Sequence, residues 1–137
     1  MKISIKISQQ CNVDYFGCSI GDIVQVEFEE YIAAVVGSEI GKQSLEACKA
    51  QAIAARTYAI YAGVLDGKVI SDSHSDAQSY KAKRAEFEVC KQAAQETKGI
   101  VITYGEKPIN AVYSNSNGGR TVSAQTRWGR AKPYLIE

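Results

Sequence analysis

Three stretches of this chain place reactive residue types at spacings that suit chemistry. The first is Glu27-Phe-Glu-Glu-Tyr-Ile-Ala-Ala-Val-Val-Gly-Ser-Glu-Ile-Gly41, in which Phe28, Tyr31, Ile32, Val35 and Val36 share one helical face and the helix ends near Gly37 to Gly41. Glu39 then sits at the helix C-terminus beside Val36 and Ile40. The negative end of the helix dipole and apolar neighbours both oppose a charged carboxylate, which is how a general acid is made. The same position equally suits a carboxylate that frays into solvent, so both readings stand at this point. The second stretch, Ser44 to Gly63, carries Glu46, Lys49, Ile53, Arg56 and Ile60 at helical spacing, so three charges share one side. The third, Ser114-Asn-Ser-Asn-Gly-Gly-Arg120, joins backbone-permissive glycines to hydrogen-bonding side chains. Such a loop lets a polar ligand approach the main chain, or is an ordinary surface turn.

Other reactive types are isolated. His74 stands alone in the polar stretch Val69 to Tyr80, among Ser and Asp, and one ligand makes no metal site. Cys11, Cys18, Cys48 and Cys90 lack paired Cys-x-x-Cys spacing. Cys48 and Cys90 fall in helical patterns and read as buried thiols, whereas Cys11 and Cys18 lie in a turn-rich segment and pair only in an oxidising compartment. No P-loop and no Gly-x-Gly-x-x-Gly pattern is present, so nucleotide binding has no support.

Positioning these groups takes few elements. Ile3, Ile5 and Ile7 alternate as a strand, Asn12 to Gly21 carries turn residues, and Ile23, Val24 and Val26 make a second strand. The helix ending at Glu39 follows. Ser44 is placed to cap the next helix and Gly63 to end it, with small residues on several faces, so this helix is expected to be the central, buried one. Lys81 to Lys98 is expected as a third helix stopped by Gly99. Ile100 to Tyr104 and Pro108 to Tyr113, joined at Gly105-Glu106, read as a hairpin. The expected class is α+β: about three helices, one central and buried, on short, mainly antiparallel strands.

Composition excludes several roles. A chain of 137 residues with 45% hydrophobic content is enough for one compact domain with a real core. Sixteen basic and fifteen acidic residues are spread throughout and leave a net charge of +1, which argues against a nucleic-acid or anionic-membrane binder. No apolar run approaches the roughly 20 residues of a membrane span. The N-terminus alternates like a strand and lacks a signal-peptide core, so any export is expected to rely on something outside this chain.

The motifs taken together resemble the stage II sporulation protein D family, also called the amidase-enhancer family. The resemblance rests on Glu30-Tyr31-Ile-Ala-Ala-Val-Val with Glu39, Leu45-Glu-Ala-Cys-Lys-Ala-Gln-Ala-Ile-Ala-Ala-Arg-Thr-Tyr58, Gln78-Ser-Tyr80 and Thr97-Lys-Gly-Ile-Val-Ile-Thr-Tyr104. It continues through Lys107-Pro-Ile-Asn-Ala-Val-Tyr113, Ser116-Asn-Gly-Gly-Arg-Thr121 and Trp128-Gly129. These blocks cover roughly residues 24–137, and residues 1–23 are read as a strand and turn segment packed on that domain. Sporulation-type members often carry a cysteine pair just before Gln-x-Tyr and bind zinc there. Here that loop, Ile70-Ser-Asp-Ser-His-Ser-Asp-Ala77, has no cysteine, and no zinc or other cofactor is expected.

The resemblance implies work on the bacterial cell wall, at the wall or outside the cell. Members that degrade peptidoglycan act as lytic transglycosylases on glycan strands freed of stem peptides by an amidase, and related members activate that amidase. It places the catalytic glutamate on Glu39 and cleft or substrate-binding roles on Lys49, Arg56, Gln78, Tyr113, Ser114, Ser116 and Gly118. Tyr58, Tyr80 and Tyr113 would offer stacking faces, and Lys49 and Arg56 would hold the lactyl carboxylate or sugar oxygens. The expected partners are glycan strands and an amidase. The competing expectation is a non-catalytic glycan-binding module that recruits or activates the amidase, and a third is an assembly module with no glycan activity.

Overall fold

A computed structural model of the chain describes residues 1–114 and 118–136. Alternation in the first strand, β1 (Lys2–Lys6), turns Ile3 and Ile5 into the core, and Ile7 follows them. Strand β2 (Ile23–Glu27) pairs with it antiparallel, Ile3 opposite Val26 and Ile5 opposite Val24. On the other edge β3 (Ile70–Ser71) pairs parallel, Ile5 opposite Ile70, giving the order β2-β1-β3. A separate ribbon joins β4 (Thr103–Tyr104) to β5 (Lys107–Pro108). Its turn residues Gly105 and Glu106 both have positive φ, 58° and 68°, as a two-residue hairpin turn requires. The ladder is shorter than the sequence suggests, extended only by the Ile109 N–H donating to the Ile102 carbonyl at 3.1 Å.

The class is α+β, as expected, with five α-helices among the described residues rather than three. Helix α1 (Gln10–Phe16) occupies a stretch whose turn-forming residues pointed to a loop. Next, α2 (Phe28–Glu39) follows β2 without an intervening loop, and α3 (Leu45–Tyr61) comes after it. The segment expected as one helix from Lys81 divides into a 3₁₀ stretch, Ala82–Glu86, and α4 (Glu88–Glu96). At the break Phe87 is extended, with φ −66° and ψ 117°. Its ring then lies 4.7 Å from Lys42 Nζ and 5.2 Å from Arg84 Cζ, a cation–π arrangement that a continuous helix would not need. A short α5 (Ala124–Trp128), capped by Ser123, lies near the end.

The central place that the sequence assigns to the Ser44–Gly63 helix belongs instead to α2. Phe28 and every residue from Tyr31 to Gly37 are buried. Small residues explain why both faces disappear: Ala33, Ala34 and Gly37 let neighbours approach where the large apolar face does not. A Cβ at Gly37 would stand 2.9 Å from Arg84 Cβ, 3.0 Å from the Arg84 carbonyl oxygen and 3.2 Å from the Phe87 ring. By contrast α3 buries one side, through Cys48, Ala52, Ala55, Arg56, Thr57 and Ala59. Its ends are those expected, with the Ala47 N–H donating to Ser44 Oγ at 3.3 Å and Gly63 in the left-handed region beyond it.

Residues 1–23 share this core and add a buried polar knot. Asn12 Nδ2 donates to Asp72 Oδ2 and to the Tyr80 carbonyl, both at 2.9 Å, and its Oδ1 accepts the Ala82 N–H at 2.8 Å. The Ser8 and Gln9 N–H groups also donate to the Asp72 carboxylate, each at 3.0 Å. All four cysteines are free thiols. Burial, and the neighbouring Cys48, push the Cys90 thiol up to about 11.

Arg56, expected on the charged stripe of α3 and to hold substrate, is 1% exposed. Its Nε and Nη2 donate to Glu29 Oε1 and Oε2 at 3.0 and 2.7 Å, a bidentate pair with the first turn of α2. Nη2 also meets the Ala94 carbonyl and Thr97 Oγ1, and Nη1 the Ile100 carbonyl, at 3.1, 3.2 and 3.1 Å. One guanidinium thus ties α3 to α2, to α4 and to the chain leaving α4. Arg56→Ala is expected to destabilise the fold by about 3–5 kcal/mol, because it leaves Glu29 and three acceptors uncompensated. Lys49, whose ion pairs with Glu46 and Glu96 are partly solvated, should cost only about 0.5 kcal/mol on conversion to Ala. Chemical denaturation of the two variants measures the contrast, and equal losses would refute it.

Candidate functional site

Glu39 is the last residue of α2. Its Oε1 accepts the Ser79 backbone N–H at 2.8 Å and the Tyr113 hydroxyl at 3.2 Å. The same hydroxyl lies 2.9 Å from Gln78 Oε1, so a single phenolic proton serves two acceptors. Gln78 is buried, and its Nε2 donates to Tyr31 Oη at 3.1 Å and to the Ala55 carbonyl at 3.3 Å. Those two contacts set which end of the amide faces Tyr113. A hydrogen-bonded chain therefore runs from α3 through Gln78 and Tyr113 to the end of α2.

The segment carrying Gln78 and Ser79 is held at both ends. Asp72 anchors one through the polar knot, and at the other Tyr80 stacks on Tyr31 with ring centroids 5.2 Å apart. The tyrosines around Glu39 resist ionisation. Burial raises the Tyr113 phenol well above its ordinary value, and the nearby Glu39 charge and hydrogen bond raise it further. Burial raises Tyr31 too, against the Gln78 hydrogen bond, and it raises Tyr58. Tyr113 thus keeps its proton and faces Glu39 as a donor.

Beside this chain opens a cleft of about 400 Å³ lined by Glu39, Ile40, Gln43, Ala47, Gln51 and Ser114. Of the residues proposed from the sequence, Glu39, Gln78, Tyr113 and Ser114 are brought together here, and the half-buried Tyr58 lies close enough to Tyr113 for their charges to interact. Gly118 adopts the left-handed conformation, φ 65°, in the loop beyond, and Ser116 lies outside the described residues. Lys49 and Arg56 are not among the cleft-lining residues: they face Glu96 and Glu29, because α3 turns that stripe toward α4 and α2. Tyr80 is buried against Tyr31 and offers no open face. The α3 row on the cleft is Ala47 and Gln51, one helical turn apart, with Gln43 just before the cap Ser44. Sequence reasoning passed over it because Ala47 reads as packing and the glutamines carry no charge. The Ser79 contribution is a backbone N–H, which no side-chain pattern reveals.

A larger hollow of about 600 Å³ shares no lining residue with this cleft, and two of its carboxylates are already paired. Glu27 is bonded to the N-terminal amine and Glu29 to Arg56. Among the described residues no group of three or more His, Cys, Asp or Glu is placed to hold a metal, and His74 is exposed in its loop.

Fold and site define an α+β domain that presents one helix-terminal carboxylate, gripped by a tyrosine and a backbone N–H, at the edge of an open polar cleft. The chain belongs to the stage II sporulation protein family, whose model, described as Stage II sporulation protein, matches residues 17–104. It is 31% identical over 131 residues to stage II sporulation protein D of Bacillus subtilis (strain 168), covering 82% of this chain and 38% of that protein. With the Bacillus amyloliquefaciens protein of the same name the identity is 30% over 143 residues, covering 90% of this chain and 41% of the relative. An amidase enhancer of B. subtilis is 41% identical over 93 residues, covering 68% of this chain and 12% of its own length. The chain thus spans less than half the length of each of these relatives.

The raised phenols predict the alkaline behaviour. Tyr31, Tyr80 and Tyr113 have folded-state values above the ordinary 10.0, so their contribution to stability is complete below that pH and is lost as pH rises beyond it. Spectrophotometric titration should find at least three of the eight tyrosines silent near 10, with unfolding setting in as they ionise. Tyr113→Phe should leave one fewer silent. All eight titrating together in the folded protein would show the burial to be wrong.

Proposed function

We propose that this domain is a peptidoglycan lytic transglycosylase that cleaves glycan strands freed of their stem peptides, with Glu39 as its acid–base group. The observation that carries this reading is the single carboxylate at the cleft edge. Hydrolytic glycosidases usually need two carboxyl groups, one to protonate the leaving oxygen and one to activate water or attack the sugar. Among the described residues lining the cleft, Glu39 is the one carboxylate. A lytic transglycosylase needs no more than that. Protonated Glu39 gives its proton to the departing glycosidic oxygen as the C1–O bond breaks, and the muramic acid C6 hydroxyl closes on C1. The hydroxyl proton returns to Glu39, leaving a 1,6-anhydro sugar with no water consumed.

Tyr113 and the Ser79 N–H steer this exchange, since both donate to Oε1 and so orient the carboxylate at the end of α2. Gln78 holds Tyr113 in place, and Ser114 and Gly118 belong to the loop beside the substrate. Arg56 serves the reaction from behind, by fixing α3 against α2. Activity of this kind belongs at the cell wall or outside the cell. Among the described residues no helix is long and apolar enough to cross a membrane.

The relative named amidase enhancer favours a second reading, in which the same cleft binds glycan without cutting it and the domain activates or recruits a cell-wall amidase. Digestion of peptide-free strands followed by mass spectrometry separates the two. The expected products end in 1,6-anhydro-muramic acid, and Glu39→Gln should lower turnover by about two orders of magnitude or more with little change in glycan affinity or melting temperature. Binding without anhydro products from the parent protein would give the second reading precedence, and undiminished products from Glu39→Gln would remove Glu39 from its role.

The chemistry calls for no zinc at the His74 loop, whose side chains are Ser and Asp without cysteine. Metal analysis of protein purified without a histidine tag is expected to return none. Stoichiometric zinc that disappears in His74→Ala would contradict this.

A further inference from the structure

Cys48 lies in the first turn of α3 and Cys90 in the first turn of α4, and both are fully buried. Their sulfurs converge on the turn that joins α2 to α3. Cys48 Sγ donates to the Gln43 carbonyl and Cys90 Sγ to the Gly41 carbonyl, both at 3.7 Å, while the Gln43 N–H itself donates to the Gly41 carbonyl at 3.1 Å. The two thiols also lie within hydrogen-bonding reach of each other. Two helices far apart in sequence thus bring a pair of cysteines to one place.

The surroundings narrow what the pair can do. Among the described residues no group of three or more His, Cys, Asp or Glu is placed to hold a metal, so the four ligands of a structural zinc site are not assembled around these sulfurs. The other two cysteines are kept apart. Cys11 is in the first turn of α1 and Cys18 lies past its end, so a helix about 10 Å long stands between them, and bridging them would mean unwinding it. The pairing that the spacing of Cys11 and Cys18 suggests is therefore blocked by α1, and the pair that the fold assembles is Cys48 with Cys90.

We propose that Cys48 and Cys90 are a modification site, forming in an oxidising compartment a disulfide that staples α3 to α4. One thiolate attacks a small-molecule or protein disulfide and releases one thiol from it; the other then displaces the second thiol as the Cys48–Cys90 bond forms. The two cysteines lose two protons and two electrons, and the oxidant leaves as two thiols. Neither sulfur is exposed in the folded domain, and burial with the neighbouring Cys48 raises the Cys90 thiol, so little thiolate is available there at neutral pH. The bond accordingly forms while the chain is folding, before α4 covers the turn. It does not depend on the activity proposed above.

The test refolds the parent chain from denaturant in a mixture of oxidised and reduced glutathione, alkylates the remaining thiols and maps the peptides by mass spectrometry. Protein recovered from an oxidising bacterial periplasm gives the same comparison without refolding. The expected result is one intramolecular bond, Cys48 to Cys90, in a domain that melts about 10 °C higher than the same protein prepared with a thiol reductant, because the cross-link restricts the unfolded chain. Cys11→Ser combined with Cys18→Ser keeps only the proposed pair and should show the same bond and the same shift. Free thiols at both Cys48 and Cys90, a bond between Cys11 and Cys18 in their place, or a Cys48–Cys90 bond that lowers the melting temperature overturns the proposal.

Discussion

The buried pair between Arg56 and Glu29 is the constraint on which the arrangement depends. A guanidinium at 1% exposure is stable only when its donors are met, and here four groups on three separate segments meet them. The pair therefore fixes relative position as well as charge. With the start of α2 bound to the middle of α3, and α3 bound to the end of α4, the far end of α2 has little freedom. Glu39 is at that far end. The carboxylate that neutralises Arg56 and the one proposed to do chemistry belong to the same helix, ten positions apart, or about 15 Å along its axis.

From this frame the cleft follows with little further machinery. The Ala55 carbonyl and Tyr31 hydroxyl, on α3 and α2, orient the Gln78 amide, and Gln78 in turn orients Tyr113. Each link is a neutral hydrogen bond of ordinary length, and each joins an element already fixed by packing. Relay of position through buried amide and phenol groups suits a site where added charge beside Glu39 would alter its proton affinity.

Local signals were legible in the sequence, and partnerships were not. Ser44 as a cap, Gly63 as a stop, Glu39 at a helix end and Gly105-Glu106 as a turn depend on a few adjacent residues, and the structure contains all four. Helical spacing puts Arg56 in line with Glu46 and Lys49 and says nothing of its burial. Only the tertiary neighbour Glu29, 27 residues away, makes its burial tolerable. The exchange of central helix from α3 to α2 has a similar origin, since the burial of Ala33, Ala34 and Gly37 depends on the 3₁₀ stretch that covers them. Asn12, which looks like a turn former, owes its place in α1 to Asp72 and Ala82 on the other side of the core. The cleft face of α3 carries Gln51 and Ala47, residues whose types announce nothing until the cavity beside them is seen.

The connectivity of the site has a consequence for how the protein is made. The β1–β3 pair and the Ser8–Asp72 contact close a loop of 64 residues, and Glu39 meets Tyr113 across 74. Contacts so distant in sequence form late, because the chain entropy of closing the loop is spent before the contact returns anything. During synthesis α2 and α3 are complete long before residue 113 leaves the ribosome, yet the grip on Glu39 waits for it. A chain interrupted anywhere in between holds the carboxylate without the phenol that orients it, so the site comes into being only with the finished domain.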